Sequence, residues 1–378
     1  MMKSIINIFK IIIFADYSFN FPEKNKIVLW DDNLKEFLET YIKKKNFTIL
    51  HSRGKHYNIL ILLKTFLKKG FFFSGIDYFN TFISYVQPKI LITFSDNYDL
   101  FYRIGNFNKI KKIFVQNAYR TETKEDIFFL KKKLIKNKNN LKVDYMLTFN
   151  EKVGQKYLEF ITGQNYVIGS FRSNRFKILK KKTIDILFIS HWRDKLDYMV
   201  TPTLSFKKWL SLHASLLKKV YSFARSQNLH LVVYGKYKDE KEKNFFKNIL
   251  GPEKNWSFLY NNRMLSYHYC DMSKLVVSSV STLGYEAISR SSKVAIFNIF
   301  NKDNLSKSKN FCWPYQINKE GPFWTSSLSN SSCEKLLYKL HKLDMKSWKK
   351  IRNKKFNHVL KYDKDNKKFN KLIHSLIK

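Results

Sequence analysis

The sequence predicts an α/β protein made of two successive open parallel sheets. Short β-branched runs alternate with helix-period segments along the chain, the pattern of repeated βα units. The alternation breaks once, through residues 163–182, and then restarts. At 378 residues the chain also exceeds what one core usually fills, so two domains are expected.

In the first half, 26–30 (KIVLW) reads as a strand. Leu34, Phe37, Leu38, Tyr41 and Ile42 then recur at helical spacing, predicting a helix over 32–45. A strand at 47–50 and a helix at 58–69 follow. Strands are expected at 89–95, opened by Pro88, at 111–117 and at 143–150, with a helix over 151–161. In the second half the strands fall at 184–190, 229–235, 256–261, 274–279 and 293–298. The longest helix spans 206–226, with Leu210, Ala214, Leu217, Tyr221 and Ala224 on its apolar face; another spans 239–250. The expected organisation is an N-terminal domain over 1–165, a linker over 166–182 and a C-terminal domain over 183–330. Lys-rich helices over 331–378 are expected to cross back onto the first domain.

Composition narrows the function. A formal charge of +40 suggests a nucleic-acid partner, but only ten of the 70 basic residues are Arg. Arg is the residue of base readout and phosphate clamping, and the lysines are scattered, so no nucleic-acid partner is expected. Lys-rich surfaces suit a peripheral stay on an anionic inner membrane. No apolar run reaches the roughly 18 residues of a membrane span; 5–14 is short and interrupted by Asn7 and Lys10. Cys270, Cys312 and Cys333 form no CxxC pair, which points to a reducing cytoplasm and no zinc. Asp363 and Asp365 make the one DxD, but in the Lys-rich tail, so no metal or other cofactor is expected.

The most informative stretch is KLVVSSVSTLGYEAISRSSKVAIFN, 274–298. A strand at 274–279 and a helix at 284–290 put Ser278–Gly284 at the carboxyl end of a parallel strand, where open α/β sheets bind ligands. Ser281 and Thr282 lie where a helix begins, with free N–H groups that suit a phosphate. Gly284 permits a close backbone approach, and Glu286, one turn on, can accept both hydroxyls of a ribose. The alternative is plain capping by Ser281 or Thr282, with Glu286 a capping-box or surface carboxylate. GxGxxG and GxxxxGK[ST] are both absent, which disfavours dinucleotide and P-loop sites.

With STLGYEA and SSKVAIFN go FCWP, GPFWTS and a VQN that follows ITFSDN. Together these resemble the bacterial surface carbohydrate biosynthesis proteins of polysaccharide gene clusters, of glycosyltransferase-B (GT-B) type, over most of the chain. The resemblance implies two Rossmann-like domains facing a cleft, donor nucleotide on the second and acceptor on the first. It matches Ser281, Thr282 and Gly284 to the donor phosphate loop and Glu286 to the ribose position. Relatives often carry Asp-Ser or Gly-Gly where this chain has Val280–Gly284.

In that setting Arg193 can neutralise a departing phosphate and His191 can hydrogen-bond it; Arg263 is a weaker phosphate candidate. Asp96, at a strand end of the first domain, is the expected base for the acceptor hydroxyl, with Glu122 or Asp126 as alternatives. Asn97, Gln116, Asn117 and Arg120 are expected to line the acceptor pocket, and Arg53 and Gly54 to meet an anionic acceptor. The resulting expectation is a metal-independent glycosyltransferase that moves a sugar from a nucleotide-activated donor to a surface polysaccharide, capsule or O-antigen, or its lipid-linked precursor. A non-hydrolysing nucleotide-sugar 2-epimerase would use the same cradle. A non-catalytic protein binding nucleic acid or membrane by charge is the third reading.

Overall fold

The computed structural model describes residues 15–54, 56–70, 72–105, 107–120, 128, 141–194, 199–201, 204–279, 281–299 and 311–378. The chain forms two compact units: Met1–Asn117, Leu130–Arg172 and Asn366–Lys378 make the first, Ala118–Phe129 and Ser173–Asp365 the second.

The first unit contains β1 (Asp16–Ser18), β2 (Ile27–Trp30), α1 (Lys35–Leu38), β3 (Phe47–Leu50), β4 (His56–Asn58), α2 (Ile59–Lys69), α3 (Gly75–Val86), β5 (Ile90–Thr93), α4 (Leu100–Arg103), β6 (Lys111–Val115), β7 (Lys142–Thr148), α5 (Glu151–Leu158) and β8 (Thr162–Val167). A short helix α6 (Phe171–Asn174) lies at the boundary. The six-stranded sheet runs β3-β2-β5-β6-β7-β8, with every neighbouring pair parallel. IVLW of β2 and ILIT of β5 are buried at every position, as strands covered on both faces must be. β1 pairs separately with β4. Asn58 starts α2 by accepting the Ile61 N–H at 3.0 Å, and Ser74 with Asp77 forms a capping box on α3.

Two expectations change here. The helix predicted over 32–45 shrinks to α1: Asp31 and Leu34 adopt positive φ, 70° and 59°, which delays its start to Lys35, and past Leu38 the chain runs as turns. The break in the alternation expected over 163–182 begins inside β8, which runs two residues into the expected linker; its TGQNYV is polar and exposed or half-buried throughout, as an edge strand can be.

The second unit contains β9 (Ile184–Ile189), β10 (Met199–Thr201), β11 (Leu204–Ser205), α7 (Phe206–Ser226), β12 (Leu231–Tyr234), α8 (Glu240–Leu250), β13 (Trp256–Leu259), α9 (Ser266–Met272), β14 (Ser273–Ser278), α10 (Thr282–Ser289), β15 (Val294–Phe297), β16 (Trp324–Thr325), α11 (Asn330–Lys342) and α12 (Met345–Lys355). Its sheet runs β13-β12-β9-β14-β15-β16, parallel throughout. β9 is therefore central, with β12 on one side and β14 on the other, the doubly wound order. The buried face of α7 includes Trp209, His213, Leu216 and Val220; Ala214 and Tyr221, expected inside, are half-buried. Phe311, Phe323, Trp324, Trp348 and Phe356 form an aromatic core against Tyr285, so the FCWP and GPFWTS segments pack.

Arg290 and Asp271 form a fully buried ion pair at 2.5 Å. Arg290 also donates to the carbonyls of Ser173, Phe176 and Lys177, tying 173–177 to this unit. α13 (Lys367–Ile377) belongs to the first unit. Phe369 packs 4.7 Å from Phe171, and Asn366 donates to the Phe171 carbonyl at 2.8 Å. Of the tail expected to cross back, 331–365 stays with the second unit. Among the described residues no helix is long and apolar enough to cross a membrane.

Candidate functional site

In a doubly wound sheet the ligand crevice opens at the carboxyl ends of the strands where the winding reverses. In the second unit that point lies between β9 and β14. The loop after β9 carries Ser190, His191, Trp192 and Arg193; the turn after β14 carries Ser278, Ser279, Ser281 and Thr282.

Ser281 is the N-cap of α10, yet its side chain makes no capping hydrogen bond. Plain capping is thus not its role, and its half-buried hydroxyl sits beside the first-turn N–H groups at the positive end of the helix. The Ser279 hydroxyl is buried with no hydrogen-bond partner among the described residues. Thr282 is engaged: its Oγ1 accepts the Tyr119 N–H at 3.0 Å, and Tyr119 stacks on Tyr285 at 3.9 Å. Gly284 serves packing. A Cβ there would lie 2.6 Å from Ser278 Oγ and 2.8 Å from Ser278 Cβ, so only glycine lets α10 rest on the end of β14. Glu286, one turn into α10, is fully buried.

Across the crevice, Ser190 donates to Glu242 at 2.5 Å and accepts the Trp192 N–H at 3.1 Å. Glu242, fully buried on α8, also accepts the Lys236 and Tyr237 N–H groups at 2.9 Å. One carboxylate thus fixes the loops after β9 and β12 together. Burial raises its pKa against the pull of those donors. His191 lies 5.0 Å from His213 and 5.1 Å from Trp209, ring to ring, and its buried Nε2 has no hydrogen-bond partner among the described residues. Burial, then the neighbouring His213, Lys236 and Arg193, hold its pKa well below the ordinary value. His191 is therefore a neutral hydrogen-bonding group at physiological pH, and the local positive charge comes from Arg193 and Lys236. Arg193 is half-buried in the same loop; Arg263 is exposed after β13.

In the first unit the winding reverses between β2 and β5. Asp96, expected as the base, does not fit that task. It is fully buried, its carboxylate accepts the Tyr157 hydroxyl at 2.5 Å and the Asn117 N–H at 3.3 Å, and Tyr102 bonds its carbonyl. A base must present a lone pair to the acceptor hydroxyl; Asp96 instead staples the edge of the sheet. Gln116 is likewise buried, and its side-chain oxygen accepts the Phe149 N–H at 2.8 Å. Asn117 donates to the Phe94 carbonyl, Asn97 is exposed, and Arg120 is buried within 118–129, a segment of the second unit. Glu122 and Asp126 lie outside the described residues.

The groups that do gather at this reversal were only partly legible in the sequence. Asp31 directly follows β2, is buried, and forms an ion pair with half-exposed Arg53, which donates to Ser95 Oγ at 3.0 Å. Gly54, beside it, has φ 70°. His51, half-buried, sits 5.0 Å from His56, ring to ring. Burial, reinforced by His56, lowers its pKa although Asp32 and Asp31 oppose the shift. HSRGKH pointed to Arg53; the partnership with Asp31 depends on tertiary structure.

The sequence profile of the family described as "putative O-antigen biosynthesis protein" matches residues 113–377. The chain belongs to this family. No curated protein matches the sequence. Among solved structures, S. aureus MnaA with UDP is similar at TM-score 0.53 and 12% identity, covering 92% of this chain and 95% of its own. The UDP-GlcNAc 2-epimerase of Methanocaldococcus jannaschii, in complex with UDP-GlcNAc and UDP, follows at 0.52 and 10%, covering 92% and 99%. The wall teichoic acid polymerase TagF is similar at 0.54 and 12%, covering 94% and 90%. At these identities the likeness is one of fold, the two-sheet GT-B type. Epimerases and a polymerase share it.

Proposed function

We propose that this O-antigen biosynthesis protein is a metal-independent glycosyltransferase that uses a nucleotide sugar and extends a surface polysaccharide or its lipid-linked precursor. One observation carries the reading. At the reversal point of the second sheet, the segments that follow β9 and β14 carry polar groups not spent on the fold: His191 Nε2 on one, and Ser279 Oγ, the Ser281 hydroxyl and the start of α10 on the other. Buried polar atoms without partners call for an explanation, and a diphosphate supplies acceptors for all of them. Ser281 and the α10 amides hold the phosphates, His191 donates a hydrogen bond, and Arg193 balances the charge that develops on the leaving group. Glu286 anchors the ribose, and Gly284 sets the height of the helix.

On the acceptor side, His51 replaces Asp96 as the base. It is neutral near pH 7, so it can take the proton from the acceptor hydroxyl as the sugar carbon is attacked. Arg53, with Asp31 and Ser95 fixing its position, offers a charged partner to an anionic acceptor.

The test is product analysis with nucleotide sugars, with and without a lipid-linked acceptor. A transferase releases free nucleotide only when acceptor is present. Conversion of the nucleotide sugar alone, with exchange of solvent hydrogen into the sugar, identifies an epimerase and refutes the reading.

A further inference from the structure

Among the described residues the three most exposed large apolar side chains are Phe72 at 98%, Leu67 at 83% and Phe19 at 71%. All three belong to the first unit, as do exposed Leu63 and Phe21. Leu63 and Leu67 stand on α2, Phe72 follows its end, and Phe19 and Phe21 lie in the segment tied to its amino end. That helix, ILILLKTFLKK, buries only Ile61 and Thr65, although seven of its eleven residues are apolar. Leu63 and Leu67 are one turn apart, as are Lys64 and Lys68, so the outer face alternates apolar and cationic side chains. Lys69 ends the helix, and exposed Phe72 follows it.

The amino end of α2 joins this face to the segment carrying the two exposed phenylalanines. Asn58, the α2 cap, donates to Ser18 Oγ at 3.0 Å and to the Asn20 carbonyl at 2.7 Å. Phe21 stacks on Tyr85 at 4.8 Å, and Lys64 and Lys24 lie 5.3 and 5.0 Å from the same ring.

We infer that this face of α2, with Phe19, Phe21 and Phe72, is the surface by which the protein docks on an anionic phospholipid bilayer. An isolated apolar patch marks an interaction site of some kind; the lysines decide which. Lys is depleted at protein–protein interfaces, whereas Leu and Phe interleaved with Lys match an interfacial helix that inserts its apolar side chains and holds lipid phosphates with its cations. A second copy of this chain would bring another surface of the same sign, in a molecule of formal charge +40. The inference stands on this surface alone and does not depend on which reaction the protein performs.

The experiment is co-sedimentation of the full chain with phosphatidylcholine vesicles and with mixed phosphatidylcholine–phosphatidylglycerol vesicles. Wild type is expected to partition onto the anionic vesicles. Leu63→Ser with Leu67→Ser and Phe72→Ser should cut that partition more than tenfold. Lys64→Gln with Lys68→Gln and Lys69→Gln should cut it on the order of a hundredfold. The control is Lys346→Gln with Lys349→Gln and Lys350→Gln on α12, which removes the same charge elsewhere and should change it far less. These positions are all exposed, so thermal melts of the variants should match wild type. Equal losses from both lysine sets would mean that bulk charge alone drives binding, and the inference fails. It fails too if the Leu/Phe variant binds like wild type. It also fails if only a chain beginning at residue 15 loses binding, or if the Leu/Phe variant changes the oligomeric state instead.

Discussion

Replacing Gly284 with Ala tests how the α10 turn is built. The added Cβ would sit 2.6 Å from Ser278 Oγ and 2.8 Å from Ser278 Cβ, atoms held by the end of β14 rather than by a flexible tip. Restoring normal contact needs the helix start and the strand end to separate by roughly 0.7–0.9 Å, taking ordinary carbon–oxygen and carbon–carbon contacts as about 3.5 Å. Overpacking of this kind costs about 1–3 kcal/mol. For a unit of about two hundred residues that lowers Tm by about 3–10 °C. The same separation moves the first-turn amides away from their ligand, so nucleotide affinity should fall about tenfold or more, a larger effect than one lost surface contact. Thermal and urea unfolding, with nucleotide titration, read both quantities. Ser278→Gly in the same chain removes the collision and should restore much of each, a coupling of about 0.5–3 kcal/mol. A Gly284→Ala protein that melts and binds as wild type does would refute the packing argument.

Arg290→Met leaves Asp271 buried without its partner and releases three carbonyls, and should cost about 3–5 kcal/mol by urea unfolding. Acidification should destabilise the protein through His213. Burial lowers its pKa from 6.5 to about 3, so below pH 6.5 the unfolded chain takes up a proton that the folded chain refuses, and stability falls by up to about 1.4 kcal/mol per pH unit. His213→Phe should flatten that slope in melts followed from neutral to acidic pH. His51→Gln should lower the transfer rate by about 10²–10⁴-fold while nucleotide binding stays unchanged; a loss of binding instead would place His51 in a different role.

Fully buried strands were the easiest part of the fold to read. IVLW, LVVY and VAIF carry no polar interruption because both faces of each are covered. β8 escaped notice for the opposite reason, since a polar edge strand has no hydrophobic signature. The late start of α1 is not legible because the left-handed turns at Asp31 and Leu34 follow from tertiary fit and not from a Gly or Pro. In the site, the strand–turn–helix around Ser281 was legible from its small residues and its place after an apolar run. The part of Gly284 was not, because the sequence cannot say that Ser278 lies beneath it. Asp96 shows why: a carboxylate after a strand looks the same in sequence whether it faces solvent or the Tyr157 hydroxyl and the Asn117 N–H. Glu242, which fixes two loops from beneath, sits in a stretch of charged residues indistinguishable from a solvated helix face.

The most direct test of the central claim is titration calorimetry of UDP, CDP, GDP and CMP against the wild-type chain and against Ser281→Ala with Arg193→Gln. The account predicts that one of these nucleotides binds wild type and loses most of that affinity in the variant, with both proteins melting alike in its absence. Binding that is undiminished in the variant, or no binding by any of the four, would contradict a nucleotide site at the β9–β14 reversal.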